Sequence, residues 1–194
     1  MKYQKNPQYD YEGYGVSEEN GYAKWYHWDT VKKHVTVLGV LIFVAYLAVS
    51  RLFKEELASF GKPTVTVIAL VALAAELFIV TPLHEILHLV VPSKGKLDDK
   101  CVVTLGKGTA SAMYDAPQTR TVYLVGLILP VVFFAVVFTV AAILTSGKLQ
   151  LFFIYLLFMS CYGGYTDIYM FFYALKHIKK NDIVFGVYKK TLEK

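Results

Sequence analysis

Four apolar stretches, at 35–53, 64–91, 121–145 and 149–175, account for most of this chain. Each is long enough to cross a bilayer as a helix, which takes about 20 residues. Of the 194 residues 56% are apolar and only 18% charged, and the charges crowd into the segments between the stretches. A soluble domain of this length would wrap one core in a charged skin, so that class is excluded. The pattern predicts an all-α membrane fold of four transmembrane helices. Short turns at 61–63 and 146–148 join the first and last pairs, so each pair is expected to pack as an antiparallel helix hairpin.

The net charge of +5 sits on lysines that flank the apolar stretches. Anionic lipid headgroups, not nucleic acid, are the partner this placement implies. Lys2, Lys5, Lys24, Lys32 and Lys33 precede the first stretch. Lys94, Lys96, Lys100, Lys107 and Arg120 occupy the middle loop, and Lys176, Lys179, Lys180, Lys189, Lys190 and Lys194 the tail. The other two connections hold only Arg51, Lys54 and Lys62, and then Lys148. The positive-inside rule then places both termini and the middle loop in the cytoplasm of a multi-pass cell-membrane protein. The expected layout is a polar cytoplasmic segment at 1–34 and a four-span unit at 35–194, with a cytoplasmic loop at 92–120 and a tail at 176–194. The polar start does not resemble a cleavable leader, so the first helix is expected to stay in the membrane. Two cysteines, Cys101 and Cys161, make no disulfide framework.

Within the middle loop, the β-branched run 101–105, the turn Gly106-Lys107-Gly108 and the run 109–114 predict a β-hairpin. A similar run at 183–188 follows a polar turn at 180–182 and predicts a C-terminal strand that could extend the hairpin.

His84-Glu85-Ile86-Leu87-His88 is the stretch richest in chemistry. Helical positions four apart share a face, so both imidazoles can reach one metal ion, and Glu85 is placed to take a proton from a water. Two histidines and a glutamate idle in an apolar helix would be costly, which marks them as functional. A catalytic zinc needs a third protein ligand and an open position. Asp167 is the only acid in the fourth stretch. His84 lies about 15 Å of helix before Lys94 and Asp167 about 14 Å before Lys176, so the two sit at similar depth. Small residues around it, Ser160, Gly163 and Gly164, allow close helix approach. Glu76, two turns before His84, falls roughly 80° off the ligand face of a regular helix. Its expected place is an auxiliary one, lining a water path or meeting a hydroxyl such as Tyr155, Ser160 or Tyr162. His27, His34 and His177 fall at helix ends and are read as interfacial. Asp115 lies in the loop.

The His-Glu-x-x-His on one apolar helix, with an Asp on a later one behind a Gly pair, resembles site-2-type intramembrane metalloproteases. Over roughly 64–188 the chain is more similar still to a family of small bacterial membrane proteins described as putative zincin peptidases. That resemblance implies zinc held by His84, His88 and Asp167, with Glu85 as general base. The stretch Gly163-Gly164-Tyr165-Thr166-Asp167 departs from site-2 enzymes in lacking their Asp-Gly pair.

The residues and the resemblance together predict a zinc-dependent membrane peptidase with one zinc per chain. It would act on a peptide or membrane-protein substrate, which could pair with the hairpin edge at 101–105. The alternatives are a non-catalytic metal-binding assembly factor or regulator, and an ion transporter. The topology is checked by cysteine labelling: positions near Lys33, Lys107 and Lys190 should label from the cytoplasm, and those near Lys62 and Lys148 from outside. An external Lys107 would overturn the orientation.

Overall fold

The computed structural model describes residues 1–3, 10, 12–25, 27–52, 58–105 and 110–192. The end of the first expected span at residue 53, the hairpin turn 106–108 with Lys107, and Lys5, Lys54 and Lys194 lie outside the described residues. Helices α1 (Trp28–Leu52), α2 (Lys62–Ala75), α3 (Thr81–Val90), α4 (Arg120–Leu144), α5 (Gly147–Gly163) and α6 (Tyr165–His177) form the body. A π-helical turn, Glu76–Val80, joins α2 to α3 without a break, so Lys62–Val90 runs as one long helix. Among the described residues, three helices are long and apolar enough to cross a membrane: α1, Lys62–Val90 and α4.

The fourth expected span is not one helix. Its halves, α5 and α6, meet at Gly164 with a bend of 46°. Two consecutive glycines remove the side-chain packing that would hold a straight helix there, and Gly164 itself leaves helical geometry. As a bent pair, α5 and α6 have the length and hydropathy for a single span.

Apolar side chains cover the outside of these helices, among them Leu41, Phe43 and Val44 on α1, Leu70 and Val71 on α2, and Val136 and Val140 on α4. Between helices, Ala72, Val80, Phe134, Phe138 and Leu156 pack into a buried cluster. α4 contacts α5 most extensively, and also packs on α3 and α6, which makes it the central helix.

Two small sheets lie at the end of the bundle where α1 and α4 begin and α3 and α6 finish. The predicted hairpin is present as β3 (Cys101–Leu105) and β4 (Ala110–Tyr114), with Cys101 opposite Tyr114 and Leu105 opposite Ala110. The N-terminal strand β1 (Lys2–Tyr3) adds to β3 in parallel, giving the order β1-β3-β4. The expected edge at 101–105 is therefore the central strand, and β4 is the edge. The tail does not extend this hairpin either. It folds back on itself as β6 (Asp182–Phe185) and β7 (Tyr188–Thr191), which pair with β5 (Gln118–Thr119) and β2 (Ala23–Lys24) in a second sheet of order β2-β7-β6-β5. A turn at Gly186, which has φ +56°, makes two strands where one was expected.

Two anchors fix this end. Trp25 is buried with Leu124, Ala174, Ile178 and Val184, and its indole N–H donates to the Gly186 carbonyl at 3.0 Å. Arg120 donates to the carbonyls of Ile178 (2.7 Å) and Leu175 (3.3 Å), which lie at the C-terminal end of α6 where carbonyls lack helical partners. Asp182 closes the tail hairpin. It accepts from the Lys179 backbone N–H (2.8 Å) and the Thr191 hydroxyl (2.7 Å), with the Lys189 ammonium at 3.4 Å.

Burial pushes the Asp182 carboxyl up, but these donors together hold it below the usual carboxylate range. Its contribution to stability is thus present above the unfolded value of about 3.9 and is lost as pH falls through the lower folded value. Asp182→Asn should destabilise the protein by about 1–3 kcal/mol at pH 7. In thermal melts in detergent the difference from wild type should shrink as pH is lowered past about 4. A gap constant with pH would show that the charge contributes nothing.

Candidate metal centre

His84, Glu85 and His88 stand on α3, one turn from the sheet end of Lys62–Val90. The i, i+4 spacing brings the two imidazoles together edge to face, with ring centroids 4.9 Å apart. Asp167 reaches them from the first turn of α6, immediately after the Gly164 break. Its Oδ2 lies 2.9 Å from His84 Nε2 and 3.5 Å from His88 Nε2. Placement at a helix start also favours a carboxylate, because the first-turn N–H groups carry partial positive charge.

The approach of α6 depends on the absence of a side chain. A Cβ on Gly164 would stand 2.6 Å from Val131 Cγ2 on α4 and 3.4 Å from His84 Cε1. A side chain at 164 would crowd Val131 on α4, so Gly164 lets α6 approach α4 closely enough for Asp167 to reach the histidines.

His88 is oriented from its other ring nitrogen. Its Nδ1–H donates to the Gly126 carbonyl on α4 at 2.9 Å, which turns the Nε2 lone pair towards Asp167. In a regular helix that carbonyl would be taken by the N–H of residue 130. Residue 130 is a buried proline, which has no N–H. Pro130 thus frees the acceptor that His88 uses. Gly126 in turn lets the helices meet, since a Cβ there would lie 3.1 Å from the His88 carbonyl oxygen. His84 lies parallel to the Phe134 ring on the same helix, centroids 6.4 Å apart.

The donor atoms of His84, His88 and Asp167 all fall within 4.8 Å of one another. A tetrahedral zinc with legs of about 2.05 Å holds its ligand atoms roughly 3.3 Å apart. The two nitrogen–oxygen separations of 2.9 and 3.5 Å bracket that spacing, so the set fits a zinc ion with a fourth position left over.

These side chains line a cleft of about 620 Å³. Ala110, Ser111, Ala112, Met113 and Tyr114 of β4 form one wall, at the edge that no described strand pairs with. Glu85 is buried at 8% exposure, and the Ala112 backbone hydrogen-bonds its carboxylate.

Glu76 corrects the sequence reading. It was expected about 80° off the ligand face, yet it lines the same cleft. The cause is the π-helical turn, in which the Thr81 N–H bonds the Glu76 carbonyl five residues back. One extra residue absorbed in a wide turn removes about 100° of rotation, which brings Glu76 to roughly 20° from His84. Pro82 follows directly and accounts for the wide turn. It lacks an N–H, and its ring crowds the carbonyl four residues back. The expected hydroxyl partner is present: Ser160 Oγ donates to Glu76 Oε2 at 2.9 Å.

The remaining histidines and Asp115 lie apart from the cluster. His177 stacks on Tyr173 and His34 on Tyr169, while Asp115 accepts from the Asp10 backbone N–H. Both cysteines are free thiols. Gly126, Pro130 and Phe134 escaped the sequence reading. The Gly-x-x-x-Pro pair inside an otherwise featureless apolar stretch was their only signal.

Pro130→Ala tests this support. Alanine restores the N–H to Gly126 and competes with His88, so zinc affinity should fall about 10-fold or more. Helix stability should hold or rise, since a helical proline is the less favourable residue. Chelator-competition titration beside a thermal melt reads both, and unchanged zinc affinity would refute the role.

No curated protein and no solved structure matches the chain. Residues 77–181, more than half of the chain, match a family described as a putative zincin peptidase, and that span holds all three donors and Glu85. The chain therefore belongs to the putative zincin peptidase family.

Proposed function

We infer that this protein is a membrane-embedded zinc peptidase. The observation that carries the reading is the set of three donors within 4.8 Å of one another beside a buried glutamate, in a cleft walled by a strand edge. Family membership supports the same chemistry. Three long apolar helices and one bent pair, with apolar side chains outward, support placement in a bilayer. Both termini and the two sheets then lie on the cytoplasmic side, as the lysine distribution predicts.

His84, His88 and Asp167 would hold one zinc ion. When bound, zinc polarises a carbonyl and makes a water molecule more acidic. Glu85 accepts the proton and returns it to the leaving amine. The Gly126 carbonyl keeps His88 in one tautomer, and Gly164 keeps Asp167 within reach.

The substrate is an extended peptide segment. The edge of β4 runs along the cleft: Glu85 takes the Ala112 backbone donor, and the remaining backbone groups of that edge, flanked by the small side chains of Ala110, Ser111 and Ala112, are available to a peptide. This moves the expected docking edge from 101–105 to 110–114.

Purified protein should hold about one zinc per chain, and His84→Ala or His88→Ala should lose it. Asp167→Ala should weaken binding, and Asp167→Asn should retain part of it. Glu85→Gln should keep the metal while hydrolysis of a casein or peptide-library probe falls by about 100-fold or more. Full metal content in both histidine variants would end the zinc reading. Zinc present with no hydrolysis in wild type would favour a metal-binding assembly factor or regulator.

A further inference from the structure

Beyond the zinc ligands and Glu85, the cleft carries one more carboxylate. Glu76 sits about two turns, roughly 11 Å of helix, from His84 on the side away from β4. The wide turn rotates it into the cleft, so this placement is built into the helix. Its two oxygens differ. Oε2 takes the Ser160 hydroxyl, while Oε1 has no hydrogen-bond partner among the described residues. Oε1 faces Gly163, where even an added Cβ would stay 3.7 Å away. Ser160 and Gly163 are one turn apart on α5, so one holds the carboxylate and the other leaves room beside it.

Charge makes the feature specific. Of the described residues that line the cleft, none is Lys or Arg. Two neutral imidazoles, Asp167 and Glu85 balance a divalent ion, which leaves the Glu76 carboxylate as the surplus. An uncompensated carboxylate among apolar helices is costly unless it takes up a proton or a cation meets it. An extended peptide advances about 3.3 Å per residue. A group about three residues from the bond at the candidate zinc site therefore falls level with Glu76.

We propose that Glu76 is a specificity residue that receives a protonated amine of the peptide, with Ser160 holding the carboxylate in place and Gly163 leaving the space. The amine is either a lysine side chain or the N-terminal ammonium. This rests on the peptidase reading.

The test uses the full chain in detergent, loaded with zinc and checked by metal analysis. The probes are short peptide hydroxamates in matched pairs: lysine against norleucine, and free against acetylated N-terminus. Wild type should bind one cationic member at least tenfold tighter than its neutral partner, and the pair that shows the effect identifies the amine. Glu76→Gln should reduce that ratio to within about twofold while keeping its zinc, and Glu76→Asp should keep part of it. Equal binding within both pairs by wild type would overturn the proposal and leave the peptidase reading standing. Failure of every hydroxamate to bind the zinc-loaded protein would overturn both. The wild-type comparison needs no variant, so it holds even if Glu76→Gln misfolds.

Discussion

Two prolines each withdraw one N–H from a helix packed in apolar surroundings, and the site is arranged around both losses. Backbone groups in such surroundings must find partners within the protein. Pro130 leaves the Gly126 carbonyl without its helical donor, and the His88 imidazole supplies one at 2.9 Å. Pro82 cannot continue the regular ladder behind it, and the preceding turn widens until Thr81 bonds Glu76 five residues back. The first adjustment orients a metal ligand, and the second turns a carboxylate into the cleft. Neither proline touches a substrate. Both act by changing which backbone groups are available to the side chains that do.

A second constraint is distance. An aspartate is short, so Asp167 meets His84 only if α6 comes nearly into backbone contact with α3 and α4. Gly164 permits this by leaving no atom where Val131 Cγ2 already stands, and Gly126 permits the matching approach of α4 to α3. The bend of 46° has the same origin, because a straight helix through residue 164 would carry Asp167 past the histidines along a single axis. The break therefore brings the Asp167 carboxylate up to the two histidines and places it on a fresh helix start.

Length, hydropathy and short-range spacing made much of this legible. The helix bounds of Lys62–Val90 and Arg120–Leu144 fall within two residues of those read from apolar run length. His84 and His88 share a face because four residues separate them, and no tertiary detail alters that. Asp167 was found by matching depth along two helices, which survived the bend because the break lies just before it. Glu76 was misplaced because a phase count over eight residues assumes a regular helix, and one widened turn shifts the count by about 100°. Pro82 was the available warning. The sheet edges were misassigned for a different reason. Strand order depends on partners distant in sequence, and residues 2–3 and 23–24 carry too little pattern of their own to reveal that they pair with β3 and β7.

On the reading proposed above, the strand beside the candidate metal site would answer a problem that a bilayer poses for peptide hydrolysis. A transmembrane segment entering such a site is helical, with its carbonyls engaged and shielded. To present one carbonyl it must unwind, and each backbone group set free among lipid costs several kcal/mol until it finds a partner. An unpaired strand edge supplies those partners in register, residue by residue. β4 is placed for this, since its free edge forms a wall of the cleft, beside His84 and His88, and its small residues keep the backbone open. Exposed edges invite aggregation, and natural sheets cover or shorten them. Here the edge is five residues long and lines the cleft. The same geometry disfavours a folded or fully helical substrate. On that reading a segment reaching the site would have to be frayed or able to unwind, and the ease of local unwinding in the substrate would select the bond before any side chain is recognised.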